Sequence, residues 1–251
     1  MDELIEKMDA LIEEIRNDKD QCKKLYSKTF WDQLKIKRRT TQIIKRVTEY
    51  MVNHGVTIKT EYHEFGKALK EEWLTLHYWQ VPYPEDSWFY KMSTKVFENE
   101  QEVDVFFLTP LFKALGYQEE DFTFEYKVDI TTKAYTSKEK RKSADLALFD
   151  GTDRADNNLL VVCEAKVPDK PNSRPRLKNL RRAEKDLEFY KIGLSTAKRY
   201  VATNGDVVKV FTPGEVSIVL QLELHRSVFK DNWHALYLNL GKPILVKELE
   251  G

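Results

Sequence analysis

The chain has 251 residues, 33% of them charged and 41% hydrophobic, which excludes a disordered polymer and is typical of a folded protein. Its 41 basic and 41 acidic residues cancel, which excludes a global positive field, so any nucleic-acid contact must come from local clusters. No apolar run approaches the ~20 residues that a membrane-spanning helix needs. Because Met1-Asp2-Glu3 is also unlike a secretory signal, we expect a cytoplasmic protein without membrane contact.

The first third of the chain has helical patterns. A predicted amphipathic helix runs from Asp2 to about Arg16, a second ends at His54-Gly55, and a third is expected from Thr60 to Trp79. The first helix either packs on its own domain, the simpler interpretation, or forms a helical dimer contact. Prolines in the segment Val81–Ser87 then break regular structure. We therefore predict a helical N-terminal region, 1–84, for interaction or dimerisation, and a second domain, 85–251.

The second part alternates strands with helices. A helix from Val103 to Leu115 ends at Gly116, and another is expected from about Leu177 to Leu194. The remaining apolar segments are rich in β-branched or aromatic residues, which favours strands. The predicted strands are Phe122–Ile130, Leu146–Phe149, Leu159–Cys163, Arg199–Thr203, Val207–Phe211 and Val216–Leu222. The pattern predicts an α/β fold.

Two of these strands bring charged residues together. If they form an antiparallel hairpin, counting outward from the turn places Asp145 opposite Cys163, one position from Glu164. A register error of one or two residues still leaves both carboxylates within reach of one ion. Glu164 and Lys166 are two residues apart on an extended chain, so their side chains point to the same face.

This set of residues has the chemistry of phosphodiester hydrolysis. Two carboxylates suit Mg²⁺ or Mn²⁺, which also bind phosphate oxygens, and a lysine ammonium can orient water or neutralise charge on the phosphate. Taken singly, each of Asp145, Glu164 and Lys166 is better explained as an ordinary strand end that meets solvent. Taken together, they predict a metal site.

Four landmarks follow one another between Glu100 and Phe211. They are Glu100 on a helix that ends in Leu115-Gly116-Tyr117, then Ala144-Asp145-Leu146, Glu164-Ala165-Lys166 and Thr203-Asn204-Gly205. In this order they resemble the N-terminal nuclease domain of the DNA-translocating subunit of type I restriction enzymes, a branch of the PD-(D/E)XK nuclease superfamily. The resemblance implies a restriction-endonuclease-like mixed β-sheet core flanked by helices.

The resemblance also implies roles for individual residues. Asp145, Glu164 and the backbone carbonyl of Ala165 would bind Mg²⁺ or Mn²⁺, and Lys166 would serve catalysis. Glu100 would add a further carboxylate, with Glu102 as a less well-aligned alternative.

Two positions depart from the family pattern. Ala144 replaces a proline that shapes the backbone rather than the chemistry. Asp186 stands four residues before Tyr190, where these nucleases often place a glutamine that positions substrate or water, so metal number, preference or rate could differ. Tyr190 itself lies in the apolar stripe of its helix, and we interpret it as a core residue in preference to a catalytic one.

Basic clusters flank the proposed chemistry and can neutralise phosphates without selecting sequence, although a solvated loop and helix face is the alternative. The predicted nucleic-acid contacts are Lys140, Arg141, Lys142, Arg174, Arg176 and Lys178.

The chain has no G-x-x-x-x-G-K-[ST] phosphate loop, so we expect no motor of the usual kind. The predicted protein is a nuclease acting on nucleic acid, DNA in the first instance, as a homodimer or with a separate motor or regulatory chain. A bacterial restriction or phage-defence role is the associated expectation. The alternatives are a catalytically silent nuclease-fold subunit that binds nucleic acid or regulates, and an interaction subunit whose helical part is its main function.

Overall fold

The computed structural model describes residues 3–129, 141–169 and 178–250. The chain forms two compact units: Met1–Tyr83 with Asn232–Leu238, and Pro84–Asp231 with Asn239–Gly251. The segment Asn232–Leu238, which the sequence placed with residues 85–251, thus groups with the first unit. In the described ranges, none of the helices combines the length and the apolar character needed to span a membrane.

The first unit combines helices with a three-stranded sheet. Its elements are α1 (Glu3–Asn17), β1 (Cys22–Tyr26), α2 (Ser27–Gln33), α3 (Thr41–Asn53), β2 (Val56–Thr60) and β3 (Trp73–Tyr78). The strands are antiparallel in the order β1-β3-β2. Leu74 and Leu76 on one face of β3 join a core that includes Met8 of α1 and Met51 of α3.

The prediction of a helix from Thr60 to Trp79 is wrong, and the N-terminal region is helical only in part, since it also contains three strands. Buried Leu74 and Leu76 alternate with half-buried Trp73, Thr75 and His77, which is the two-residue period of a strand with one buried face. Pairing with β1 and β2 on both sides supplies the backbone hydrogen bonds that a helix would otherwise make internally.

The second unit is a mixed α/β fold around a six-stranded sheet. Its first helices are α4 (Asp86–Thr94), α5 (Glu100–Val103) and α6 (Thr109–Ala114), and a π-helical turn, Asp104–Leu108, joins α5 to α6. Next come β4 (Phe122–Asp129), β5 (Arg141–Phe149), β6 (Leu159–Ala165), α7 (Lys178–Gly193), β7 (Arg199–Thr203), β8 (Val207–Pro213) and β9 (Ile218–His225). The last helices of the chain are α8 (Trp233–Leu240) and α9 (Lys242–Glu250). The six predicted strands are confirmed, and some of their ends differ by two to five residues. The predicted end of the first strand, Ile130, lies outside the described residues.

The sheet has the order β4-β5-β6-β7-β8-β9, and β6–β7 is its one parallel pair in the described ranges. Helix α7 lies between these parallel strands in the chain, as a crossover connection requires. Leu180, Ala183 and Leu187 of α7 pack in a core with Val162 and Tyr200 of the sheet. All seven residues of β6 are buried, which makes it the central strand of this core.

Candidate functional site

An irregularity in the β5–β6 pairing sets the position of the two carboxylates. The ladder skips Leu160 and ends with Leu146 paired with Cys163. The same register, continued by one residue, places Asp145 opposite Glu164. A β-bulge adds one residue to one strand, and this displaces the hairpin register by one position. The predicted pairing of Asp145 with Cys163 is therefore wrong by one residue.

Lys166 joins the carboxylates at the end of β6. Its Nζ lies 2.5 Å from Glu164 Oε1, 3.7 Å from Glu100 Oε2 and 3.9 Å from Asp145 Oδ2, and it donates to the Ala165 carbonyl at 2.8 Å. Asp145 Oδ2 accepts a hydrogen bond from the Ala165 N–H at 2.7 Å. The structure thus brings together Glu100, Asp145, Glu164 and Lys166. The Ala165 carbonyl, which the resemblance assigns to a metal, lies beside them and accepts from Lys166.

Glu102, the alternative to Glu100, has a local structural contact. Its Oε2 accepts a hydrogen bond from the Glu98 N–H at 3.0 Å, next to the start of α5. Glu100 is half exposed, and its carboxylate approaches Lys166. Of the two acids, Glu100 is the one with a contact in the cluster.

Burial and mutual repulsion perturb the ionisation of this cluster. The side chain of Glu164 is 5% exposed; burial and then the charge of Asp145 raise its pKa to about 8. Burial also raises the pKa of Asp145, although the Ala165 N–H and Lys166 oppose this. For Lys166, burial favours the neutral form, but Glu164 and then Asp145 hold its pKa above the usual value. Such perturbed groups are typical of functional sites.

Asp104 is a further carboxylate that the sequence analysis missed. It opens the π-helical turn after α5, and its buried Oδ1 has no hydrogen-bond partner among the described residues. Burial and then the charge of Asp145 raise its pKa to about 7. π-Helical turns interrupt α-helices most often at functional sites. The sequence does contain one signal for Asp104. It lies four residues after Glu100 on one helical segment, a spacing that makes two side chains neighbours.

A cleft of about 550 Å³ opens between the α5 region and the edge of the sheet. Carboxylates of Glu100, Asp104, Glu125 and Asp145 line it. Glu125 adopts a left-handed backbone conformation, φ 51°, in the β4 ladder where the pairing with β5 omits it. For a residue other than glycine this conformation is strained, and such strain concentrates at functional sites.

Tyr190 contributes to the core and to the cluster. Its ring is buried in the α7–sheet core, as predicted, but its hydroxyl lies 2.7 Å from the Ser143 carbonyl and 3.0 Å from Glu164 Oε2. A phenol has one hydrogen to donate, so it cannot donate to both acceptors at once. A protonated Glu164 would resolve this by donating to the tyrosine oxygen, which agrees with the raised pKa of Glu164.

Asp186, which stands where the resembled nucleases place a glutamine, binds Lys142. The ion pair measures 2.6 Å, and the Lys142 ammonium also lies 4.9 Å from the centre of the Phe189 ring. One of the predicted nucleic-acid contacts is therefore already paired with an acid. Three others, Lys140, Arg174 and Arg176, lie outside the described residues; for Arg141 and Lys178 the structure describes only the backbone, at the first residues of β5 and α7.

The Thr203-Asn204-Gly205 landmark forms the turn between β7 and β8, next to the cluster. The Thr203 carbonyl accepts a hydrogen bond from the Lys166 N–H at 2.9 Å, which continues the β6–β7 pairing. Gly205 has φ 80°, and a Cβ there would lie 2.7 Å from the Phe97 ring, so conformation and space both require glycine. The turn thus anchors the backbone of Lys166.

The donor set suits a hard divalent cation. Carboxylates of Glu100, Asp145 and Glu164 lie 2.5–3.9 Å from the Lys166 ammonium. The buried Oδ1 of nearby Asp104 has no hydrogen-bond partner among the described residues. Carboxylate oxygens are ligands that Mg²⁺ and Mn²⁺ prefer, and a cation would relieve the repulsion among them. Within the three described ranges, no group of three Asp, Glu, His or Cys side chains is already arranged around a common ion position.

Comparison with known proteins gives no relative. No protein-family model matches the chain, and neither the curated proteins nor the solved structures contain a match.

Proposed function

We propose that the protein is a metal-dependent nuclease of the PD-(D/E)XK type. The observation that carries the proposal is the meeting of Asp145, Glu164 and Lys166 at the ends of adjacent strands, with Nζ 2.5 Å from one carboxylate and 3.9 Å from the other. This is the residue set that the sequence resemblance implies for hydrolysis of a phosphodiester.

Asp145 and Glu164 are the proposed ligands of Mg²⁺ or Mn²⁺, with Glu100 and Asp104 as further carboxylates on the helical side of the cleft. The ion, when bound, supplies positive charge that offsets charge developing on the phosphate and favours ionisation of water. The Ala165 N–H holds the Asp145 carboxylate in position, and the Tyr190 hydroxyl does the same for Glu164. Lys166 would then orient the attacking water or neutralise the phosphate.

DNA is the proposed substrate, and bacterial restriction or phage defence is the proposed setting. Both follow from the resemblance to the nuclease domain of type I restriction enzymes. The absence of a phosphate-loop motif from the sequence favours control by a separate chain or by self-association over an internal motor.

The decisive experiment is cleavage of supercoiled plasmid, single-stranded DNA and RNA by wild type and Lys166→Ala, with Mg²⁺, Mn²⁺ or chelator. We expect metal-dependent products that the variant loses by at least about 100-fold, since it lacks a charge that faces the reacting phosphate. Lys113→Ala is the matched control, because Lys113 forms an exposed ion pair with Glu119 and should retain full activity. Equal cleavage by Lys166→Ala, or cleavage in chelator, would contradict the proposal.

A second candidate is a nuclease-fold subunit that binds nucleic acid without cleaving it. The observation that favours it is the Lys142–Asp186 ion pair in place of the family's glutamine. This candidate predicts salt-sensitive binding and no products under any metal condition. The same assay, combined with a binding titration, separates the two candidates.

A further inference from the structure

The three-stranded sheet of the first unit has one face outside its core. Leu74 and Leu76 of β3 point into the core, so the residues that alternate with them form the opposite face. The strand registers place eight side chains on this outer face: Cys22, Lys24, Tyr26, Thr57, Lys59, Trp73, Thr75 and His77.

Aromatic rings are concentrated on this outer face. Tyr26 is paired with Trp73 across the strands, and their rings stack at 3.9 Å with 28° between the planes. Tyr26 remains 43% exposed, so the stack is accessible to solvent. His77 lies four residues further along β3, about 13 Å away at the rise of a strand, and contacts the Trp79 ring at 4.7 Å.

The charge on the outer face is of one sign. Lys24 and Lys59 are both exposed and both pair with Thr75, so they flank it from neighbouring strands. The Lys24 ammonium lies 5.3 Å from the centre of the Trp73 ring. None of the eight outer-face positions carries an acid, although the whole chain is neutral.

We propose that this outer face binds single-stranded nucleic acid, with bases stacked on Tyr26 and Trp73 and phosphates near Lys24 and Lys59. Flat sheet faces that combine exposed rings with basic side chains bind single strands in this way, because every base has an aromatic face that can stack. A duplex keeps its bases stacked internally and does not offer them to the rings. The buried core of a protein interface is depleted of charged residues, and of lysine in particular, whereas Lys24 and Lys59 flank the centre of this face.

This inference does not depend on the proposed nuclease activity, because binding is measured without metal. The experiment is a fluorescence anisotropy titration of a labelled single-stranded DNA or RNA of about 16 nucleotides with the full chain, in chelator. We expect Tyr26→Ala to weaken binding about 5- to 100-fold, the usual loss for one stacking ring, and Tyr26→Phe to retain it.

The lysines are tested by salt dependence. Lys24→Ala with Lys59→Ala should reduce the slope of log affinity against log salt by about 1.4, since each phosphate contact to a single strand contributes about 0.7. Lys28→Ala with Lys37→Ala is the matched control, because these exposed lysines lie outside the sheet, and its slope should equal that of wild type. The variant that combines Lys24→Ala with Lys59→Ala also keeps the test valid if Tyr26→Ala folds poorly.

Three results would overturn the inference: an unchanged affinity in Tyr26→Ala together with an unchanged slope in the lysine pair, no binding by wild type, or equal binding of a duplex of the same length. A wild-type dimer that Tyr26→Ala dissociates would identify the outer face as a contact between two copies instead. Light scattering on the same samples detects that outcome. If the proposed nuclease activity is not found, these measurements still test the inference, because none of them requires cleavage.

Discussion

Two buried glutamates, one in each unit, have opposite surroundings. Glu72 in the first unit is 2% exposed, and its carboxylate accepts hydrogen bonds from the N–H groups of Tyr62, His63 and Leu69, with His63 Nδ1 also 2.8 Å away. Burial opposes its ionisation, but these donors lower its pKa to about 2. Glu164 in the second unit is buried to a similar degree, meets one ammonium and one hydroxyl, and has a raised pKa.

The difference shows which buried acids indicate function. Burial is common to both glutamates, so it does not distinguish them. Both oxygens of a structural carboxylate such as Glu72 have hydrogen-bond partners, here three backbone N–H groups and the His63 ring, and these contacts hold a loop in place. Around Glu164 there are more carboxylates than side-chain donors to neutralise them. Their mutual repulsion destabilises the fold, and a bound cation would offset this repulsion. A shortage of donors, not burial, is therefore the useful signal.

The sharpest test of this contrast is Glu164→Gln. We expect cleavage to fall by at least about 100-fold, because the variant loses a proposed metal ligand and the charge that faces Lys166. Its Tm in chelator should not fall, since the metal-free fold disfavours an ionised Glu164 and Asp145 and Glu100 still neutralise Lys166. Glu215→Gln, at an exposed turn, is the matched control for activity and Tm. Full activity in Glu164→Gln would remove Glu164 from the proposed site.

Glu72→Gln should show the reverse pattern. The amide cannot accept from all the donors around Glu72, so Tm should fall by more than in Glu164→Gln while cleavage per folded molecule stays unchanged. The folded pKa is lowered, so the contribution of Glu72 is present above the ordinary value of 4.5 and lost as pH falls towards about 2. The gap in Tm between wild type and variant, measured by circular dichroism, should close over that window. A constant gap would show that packing, not charge, accounts for the loss.

These contrasts also show what the sequence could and could not predict. The strands of the second unit were predictable because their buried faces require runs such as Leu159-Leu160-Val161-Val162. The neighbourhood of Asp145 and Glu164 was predictable because a hairpin limits how far two strand ends can separate. Their actual pairing was not, since the bulge at Leu160 depends on packing and leaves no mark on the pattern.

Two other features could not be predicted from the sequence, for different reasons. Strand β3 is only six residues long, and its apolar residues also fit a helical stripe, so periodicity could not separate the two. Asp104 lies in a helix whose apolar residues dominated the interpretation. Its importance arises from a π-helical turn and from Asp145, which is distant in sequence and close in space. Both features are tertiary effects.

Asp104→Asn tests whether Asp104, like Glu164, is a carboxylate with too few hydrogen-bond donors around it. The folded pKa is raised to about 7, so ionisation destabilises the metal-free fold as pH rises from the ordinary value of 3.8 to about 7. The variant in chelator should therefore gain about 1 kcal/mol after allowance for solvent screening, or a few degrees in Tm, at pH 8 and nothing near pH 4. Its affinity for Mn²⁺, measured by calorimetry, should fall about tenfold.

Asp156→Asn is the matched control for Asp104→Asn, because Asp156 is exposed on the same unit and should change neither quantity. Unchanged Mn²⁺ affinity in Asp104→Asn, with loss of affinity in Asp145→Asn, would restrict the cation site to the strand side of the cleft. Unchanged affinity in both variants would contradict the proposed metal site itself.

The smallest expected effect is that of Tyr190→Phe, which separates the two roles of this residue. Phenylalanine keeps the ring in the α7–sheet core, so Tm should change little, but it removes the hydroxyl between Ser143 and Glu164. The loss of one hydrogen bond, about 1 kcal/mol, should lower kcat about fivefold and leave KM unchanged, because the hydroxyl positions Glu164 and does not touch substrate. It should also shift the pH dependence of kcat, since the hydroxyl contacts the carboxyl whose pKa is raised. Loss of Tm without any change in this profile would mean that Tyr190 serves the core alone.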